Sequence, residues 1–311
     1  MQLPPQWRWK LDRWKEQLRA LFAADKEEDR RPRICPACGS LVGINATRCH
    51  ECGTSMTFSM AAVGKSFGSF LPEESPVTYF MLTVNFMLFM VTLVASAQGG
   101  GFSLLDWVSG HVLYRLGARE SISIFYGHEW WRLVIPIFLH GGLIHIALNM
   151  MWLKDFGPMI EDIYGSARFL FLYMVTGIIG FVWSTAWDVL ITHQASGIGI
   201  GASGSMMGLL GLALAITTRR GGAYMQMMRG QFIRSAVFIV VIGLIVPGID
   251  NTAHIGGFVS GFVFGKFFND RLPENGPERK RAYLLGWIGA LSIVASFGAA
   301  IFKFYTTQPT P

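Results

Sequence analysis

The sequence predicts an all-α fold: a polytopic transmembrane bundle of seven helices, preceded by a small cysteine-bearing module on the cytoplasmic side. Three observations predict it. The 311 residues are 51% hydrophobic and only 15% charged, whereas a soluble domain carries roughly 25% charged residues. Apolar stretches near the length of about 20 residues that a bilayer requires fall at approximately 77–97, 142–160, 168–190, 203–218, 234–249, 251–268 and 283–302. All four cysteines of the chain stand in two Cys-x-x-Cys pairs ahead of the first stretch.

In chain order, residues 1–30 read as a basic amphipathic helix. Trp7, Leu11, Trp14, Leu18 and Leu21 share one face, with Arg8, Lys10, Arg13, Lys15 and Arg19 around it. Such a helix lies on a membrane surface or packs on the module that follows. That module, 31–56, holds Cys35-Pro36-Ala37-Cys38 and Cys49-His50-Glu51-Cys52. Four thiolates in two such pairs match tetrahedral zinc ligation, so Cys35, Cys38, Cys49 and Cys52 are the expected ligands of a structural Zn2+. His50 is a surface neighbour. Two disulfides are the alternative, disfavoured in a reducing cytosol. The module is similar to small zinc ribbons attached to many proteins, which leaves open a cytoplasmic partner. Residues 57–76 read as a linker. No apolar core with a small-residue cleavage site marks a signal peptide.

Orientation follows the Lys/Arg bias of short loops. Arg219, Arg220, Arg229 and Arg234 are read between the fourth and fifth spans, and Lys266, Arg271, Arg279, Lys280 and Arg281 between the sixth and seventh. Both connections are therefore expected in the cytoplasm with the N-terminus. The connection 191–202 and the turn at Pro247-Gly248 lack Lys and Arg and fall outside. Spans two, four and six then run parallel, from the outer face inward. The loop 98–141, with Phe125, Tyr126, Trp130, Trp131 and Arg132, is expected in the interface, where aromatic side chains anchor. The formal charge of +6 reflects this topology, and no nucleic-acid partner is expected.

Polar residues in hydrocarbon are costly and mark sites, and they concentrate in spans two, four and six. Ser203, in Gly201-Ala202-Ser203-Gly204, opens span four; His254, in Ala253-His254-Ile255-Gly256-Gly257, lies about one turn into span six. Both should sit at one shallow depth. A hydroxyl becomes a nucleophile when a base takes its proton, and imidazole suits that task near neutral pH. Gly204 and Gly208, and Gly257, Gly261 and Gly265, recur every four residues as ridges that let two helices approach. In span two His145 and Asn149 are i and i+4 and share a face. With the backbone N–H of Ser203 they could stabilise an oxyanion, each donor worth roughly 2.7–4 kcal/mol; an interhelical hydrogen-bond pair is the plain alternative. A metal site from His140, His145 and His254 is disfavoured because no carboxylate-rich face adjoins it.

These motifs together resemble those of the rhomboid intramembrane serine proteases. Trp131-Arg132 resembles the Trp-Arg pair of the family's first external loop, and His145 with Asn149 its His-x-x-x-Asn motif. Glu161 and Gly165 fit the end of its second helix. Gly201-Ala202-Ser203-Gly204 resembles Gly-x-Ser-Gly, and Asn251-Thr252-Ala253-His254 with Gly256-Gly257 resembles the motif bearing the base. The resemblance covers about 77–270, a six-helix rhomboid core, and leaves 271–311 as an extra C-terminal helix and tail. It implies a Ser203–His254 dyad, no cofactor for catalysis, and hydrolysis of peptide bonds in or near transmembrane helices of other proteins. Asp250 stands one turn before His254, where a helix cap is expected; a third triad member is the less favoured reading. Met207 stands where some members carry an aromatic beside the histidine.

A catalytically silent rhomboid-like protein that binds transmembrane clients is the alternative, as is a transporter. The joint presence of Ser203, His254, His145 and Asn149 disfavours the first, and the gathering of polar groups near one face disfavours the second. A multi-pass protein of the bacterial inner membrane, with a cytoplasmic N-terminus, is expected.

Overall fold

The computed structural model describes residues 32–35, 37–43, 46–56, 74–97, 108–193 and 197–306. The helix expected over 1–30, most of the linker expected over 57–76, and residues 98–107 of the interfacial loop lie outside them. The chain divides into two units, 1–65 with 275–280 and 66–274 with 281–311.

In the first unit, strand β1 (Arg33–Ile34) pairs antiparallel with β2 (Leu41–Val42), Arg33 opposite Val42. The turn between them and the turn after Cys49 repeat one pattern. Gly39 N–H donates to the Cys35 carbonyl at 2.9 Å and Cys35 N–H to that of Ser40 at 2.8 Å; Gly53 with Cys49, and Cys49 with Thr54, do the same at 2.9 and 2.8 Å. Each turn ends on a glycine at positive φ, +78° at Gly39 and +69° at Gly53, a conformation glycine holds without a Cβ penalty.

The second unit is helical. Helix α1 (Pro76–Ala97) is followed by two short helices, α2 (Gly110–Arg115) and α3 (Ser121–Phe125), and by 3-10 turns at Trp130–Leu133 and Ile135–Phe138. Then come α4 (Leu143–Tyr164), α5 (Ser166–Ala186) with a π-helical turn at Trp187–Thr192, α6 (Ser203–Arg219), α7 (Ala223–Ile245), α8 (Asn251–Phe267) and α9 (Gly276–Thr306), whose residues to Lys280 count with the first unit. Seven long helices thus stand among the described residues. Four of them, α1, α5 with its π turn, α7 and α9, are long and apolar enough to cross a membrane; α4, α6 and α8 carry the polar residues.

Two helix boundaries differ from expectation. α7 begins at Ala223 instead of near 234, so Arg229 and Arg234 stand on the helix and not in a loop. Its first two turns carry Gln226 and Arg229 among Ala, Tyr and Met, and Arg229 donates to the Thr217 carbonyl at 2.6 Å and so satisfies an open carbonyl near the end of α6. α9 begins at Gly276, which puts Arg279, Lys280 and Arg281 in its first turns; Lys266 likewise lies in the last turn of α8.

Helix α6 is the centre of the second unit, with twelve of its 17 residues buried. Small residues place it there. A Cβ on Gly257 would overlap the Gly204 carbonyl oxygen, one on Gly261 that of Gly208, and one on Gly265 would come within 3.3 Å of Leu212. The paired numbers rise together, so α6 and α8 run parallel at backbone contact. α5 closes the other side, where a Cβ on Gly180 would stand 2.7 Å from the Ala253 carbonyl oxygen. At the opposite end of the bundle, Glu161 of α4 accepts hydrogen bonds from Val77 N–H (3.0 Å), Thr78 N–H (2.7 Å) and the Thr78 hydroxyl (2.7 Å). A carboxylate at the open N–H groups of a helix start docks α1 onto α4.

Candidate active site

Parallel packing brings the first turns of α6 and α8 to one end of the bundle. Ser203 is the first residue of α6 and half-buried; His254 is the fourth of α8 and buried. The Ser203 Oγ and the His254 Nε2 are 2.7 Å apart, within hydrogen-bond reach for a nucleophile and its base. Both helices are 17 residues, about 25 Å at 1.5 Å per residue against a hydrocarbon core of about 30 Å. Their far ends carry Arg219 and Lys266, charges that belong at an interface.

The approach to Ser203 is shaped by Gly201. Its φ is +113° and its N–H donates to the Pro136 carbonyl at 2.8 Å. A Cβ there would lie 2.7 Å from His145 Nε2 and 3.6 Å from Asn149 Nδ2, so both side chains of α4 converge on the backbone two residues before the serine. Asn149 Nδ2 is buried without a hydrogen-bond partner among the described residues. Gly141 N–H points at His145 Nδ1 at 3.4 Å, which favours the proton on Nε2. Two donors therefore face the space beside Ser203, next to the open N–H groups at the start of α6.

Asp250 does not reach the His254 ring. Its Oδ1 accepts from Ala253 N–H at 2.9 Å and from the Thr252 hydroxyl at 2.6 Å, and its Oδ2 from the Ser184 hydroxyl at 2.6 Å. It is the N-cap of α8. His254 Nδ1 has no partner among the described residues. Met207 is buried in the core one turn below Ser203. His140 is fully buried with its ring centroid 5.1 Å from that of His145, and among the described residues these histidines form no metal-binding group.

Arg132 is buried and ties together the segment between α1 and α4. It pairs with Glu129 at 2.5 Å, donates to the carbonyls of Tyr114 (2.7 Å) and Ala118 (2.9 Å), and stacks 4.2 Å from the Tyr114 ring centroid. Arg119, Ser184 and Asp188 also form a buried polar cluster at this end, which sequence reasoning missed. Two signals could have found it: an aspartate at the end of an apolar span, and an arginine in a loop expected on the side that Lys and Arg avoid.

In the first unit the four cysteine sulfurs all lie within 4.8 Å of one another, with Cys35 and Cys52 3.6 Å apart and Cys38 and Cys49 3.5 Å apart. They are free thiols. Tetrahedral coordination with metal–sulfur bonds of about 2.3 Å sets neighbouring sulfurs about 3.8 Å apart, so the cluster fits a metal ion. Burial pushes the Cys35 thiol up to about 12, whereas at Cys38 burial, the largest single influence, is outweighed by the hydrogen bonds with Ser40, Cys35 and Cys52 together, which hold it down at about 6.

A model of the Rhomboid domain matches residues 127–271, a stretch that contains Ser203, His254, His145, Asn149 and Asp250 but not Arg119 or the four cysteines. The putative rhomboid protease YdcA of Bacillus subtilis is 30% identical over 188 residues, 60% of this chain and 86% of that protein. The chain belongs to the rhomboid family. Rhomboid protease GluP of Bacillus subtilis is 29% identical over 254 residues, 81% of this chain and 46% of its own length. RHOMBOID-like protein 1 of Arabidopsis thaliana is 35% identical over 176 residues, 56% and 43%. This rhomboid chain thus spans somewhat less than half the length of the last two relatives. With its apolar helices, it is an integral membrane protein.

Proposed function

We propose that this chain is an intramembrane serine protease that uses Ser203 and His254 to hydrolyse peptide bonds in or near the transmembrane helices of other membrane proteins. The observation that carries the reading is the 2.7 Å contact between Ser203 Oγ and His254 Nε2, at the buried end of two helices and beside two convergent donors. As Oγ attacks the scissile carbonyl carbon, Nε2 takes the hydroxyl proton, and the resulting imidazolium returns it to the leaving amine. The carbonyl oxygen becomes an oxyanion, which His145 Nε2–H, Asn149 Nδ2–H and the Ser203 N–H receive. Water then hydrolyses the acyl-enzyme with His254 as base. Asp250 serves the helix and not the ring, so the pair acts as a dyad.

The carbonyls of an intact substrate helix are hydrogen-bonded within the helix, so a substrate must unwind locally before Ser203 can attack. Helix-weakening residues near the cut should favour turnover. We further infer a structural Zn2+ on Cys35, Cys38, Cys49 and Cys52, supported by the sulfur separations, a cytoplasmic N-terminus, supported by the Lys/Arg distribution, and a bacterial inner-membrane location, supported by the likeness to two bacterial proteins. The test is a panel of labelled single-span substrates in proteoliposomes, with cut sites read by mass spectrometry. Cuts in or beside the span, moved or lost when glycine or proline near the site is replaced by leucine, support the reading. Binding of substrates without any cut would instead favour a silent client-binding protein.

A further inference from the structure

The proposed mechanism leaves one set of buried charges without a role. Arg119, in the turn between α2 and α3, is 1% exposed and Asp188, in the π turn after α5, is 2% exposed. The guanidinium donates to Asp188 Oδ2 at 2.6 Å and to the Ser184 hydroxyl at 2.5 Å, and lies 3.7 Å from Asp250 Oδ2. Ser184 donates in turn to Asp250 Oδ2, and Ser121 to Asp188 Oδ2 at 2.5 Å. Asp250 caps the turn of α8 that presents His254.

The same arginine grips the chain ahead of the nucleophile. Arg119 N–H donates to the Gly199 carbonyl at 2.9 Å, and Gly199 N–H to the Arg119 carbonyl at 3.0 Å. A Cβ on Gly199 would lie 2.8 Å from Arg119 Nε, so the strand passes directly over the side chain. Gly199 is four residues before Ser203, and Gly201 between them faces His145. One residue therefore joins the segment leading to the nucleophile, the end of α5 and the cap of the helix that carries the base.

A buried ion pair is a poor source of stability, because apolar residues of similar volume often do as well. What a planar guanidinium supplies is fixed geometry, through several donors in one rigid fork. We propose that Arg119 is a positioning residue for the Ser203–His254 pair, acting through the Asp188–Ser184–Asp250 cluster and through Gly199. The proposal rests on the protease reading, and a small misplacement of reacting atoms can cost on the order of 10²-fold in rate.

The experiment compares the unmodified chain with Arg119→Lys, which keeps the charge and loses the fork, and with Arg119→Gln/Asp188→Asn, which removes both charges of the closest pair and leaves Asp250 held by its Ser184, Thr252 and Ala253 donors. Three quantities are read in proteoliposomes: the rate of labelling of Ser203 by an alkyl fluorophosphonate, kcat and KM for a cleaved single-span substrate, and the melting temperature. Both variants are expected to melt as folded proteins, with labelling and kcat down roughly 10- to 100-fold and KM nearly unchanged. Should the double variant fail to fold, Arg119→Lys decides. Labelling and kcat at the unmodified rate in a folded Arg119→Lys protein would overturn the inference and leave the protease reading standing. Failure of the unmodified chain to label at all would remove both.

Discussion

Gly201 and Asn149 show how individual residues shape the site. Gly201 holds φ at +113°, where any other residue is strained, and a Cβ would press on His145 Nε2. Gly201→Ala should therefore lower kcat on the order of 10²-fold without unfolding the protein; a kcat within threefold of the unmodified chain would show that this conformation does not matter to turnover. Asn149 offers a buried donor with no partner among the described residues. Removing one oxyanion donor costs about 10²–10³-fold in kcat, so Asn149→Ala should lose that much with KM little changed. A rise in KM at constant kcat would assign Asn149 to substrate binding instead. The i, i+4 spacing made His145 and Asn149 readable as a pair, because helical geometry projects such residues from one face, and Ser203 and His254 were readable from their places near the starts of two apolar spans. The φ of Gly201 and the grip of Arg119 on Gly199 were not legible, since both depend on chain segments far apart in sequence.

Glycine sets the spacing of α6 and α8. Gly257 and Gly261 stand against the Gly204 and Gly208 carbonyls with no room for a Cβ, so Gly261→Leu must separate the helices and pull His254 from Ser203. Overpacking of this kind costs typically 1–3 kcal/mol, occasionally more. The melting temperature and fluorophosphonate labelling should fall together, and a normal value of either would contradict the packing account. On α1, the Thr78 and Val77 donors converge on one carboxylate. Hydrogen bonds to charged groups contribute about 1.5–3 kcal/mol, so Glu161→Gln should lower the melting temperature measurably, with activity retained below it. The sequence located these helices because apolar length and glycine periodicity are local properties. It misplaced the start of α7 by eleven residues, since Arg229 and Arg234 resemble loop residues until the Thr217 carbonyl is seen beside Arg229.

The molecule joins a four-cysteine module to a membrane unit, two parts stabilised by different physics. Among the described residues of the module, two short strands and two glycine turns surround the cysteines with few other buried apolar side chains, so a bound metal would supply most of the folding free energy, as it does in small zinc domains. Elemental analysis should return about one zinc per chain, and a strong chelator should unfold the module while leaving labelling of Ser203 in the membrane unit intact. A folded, metal-free module would contradict this. The central claim concerns the membrane unit, and cleavage of a transmembrane substrate in proteoliposomes by the unmodified chain, Ser203→Ala and His254→Ala tests it most directly. The account predicts cleavage by the unmodified chain and a loss of more than about 10⁴-fold in either variant, with substrate binding retained. Cleavage that persists in a clean Ser203→Ala preparation would contradict it.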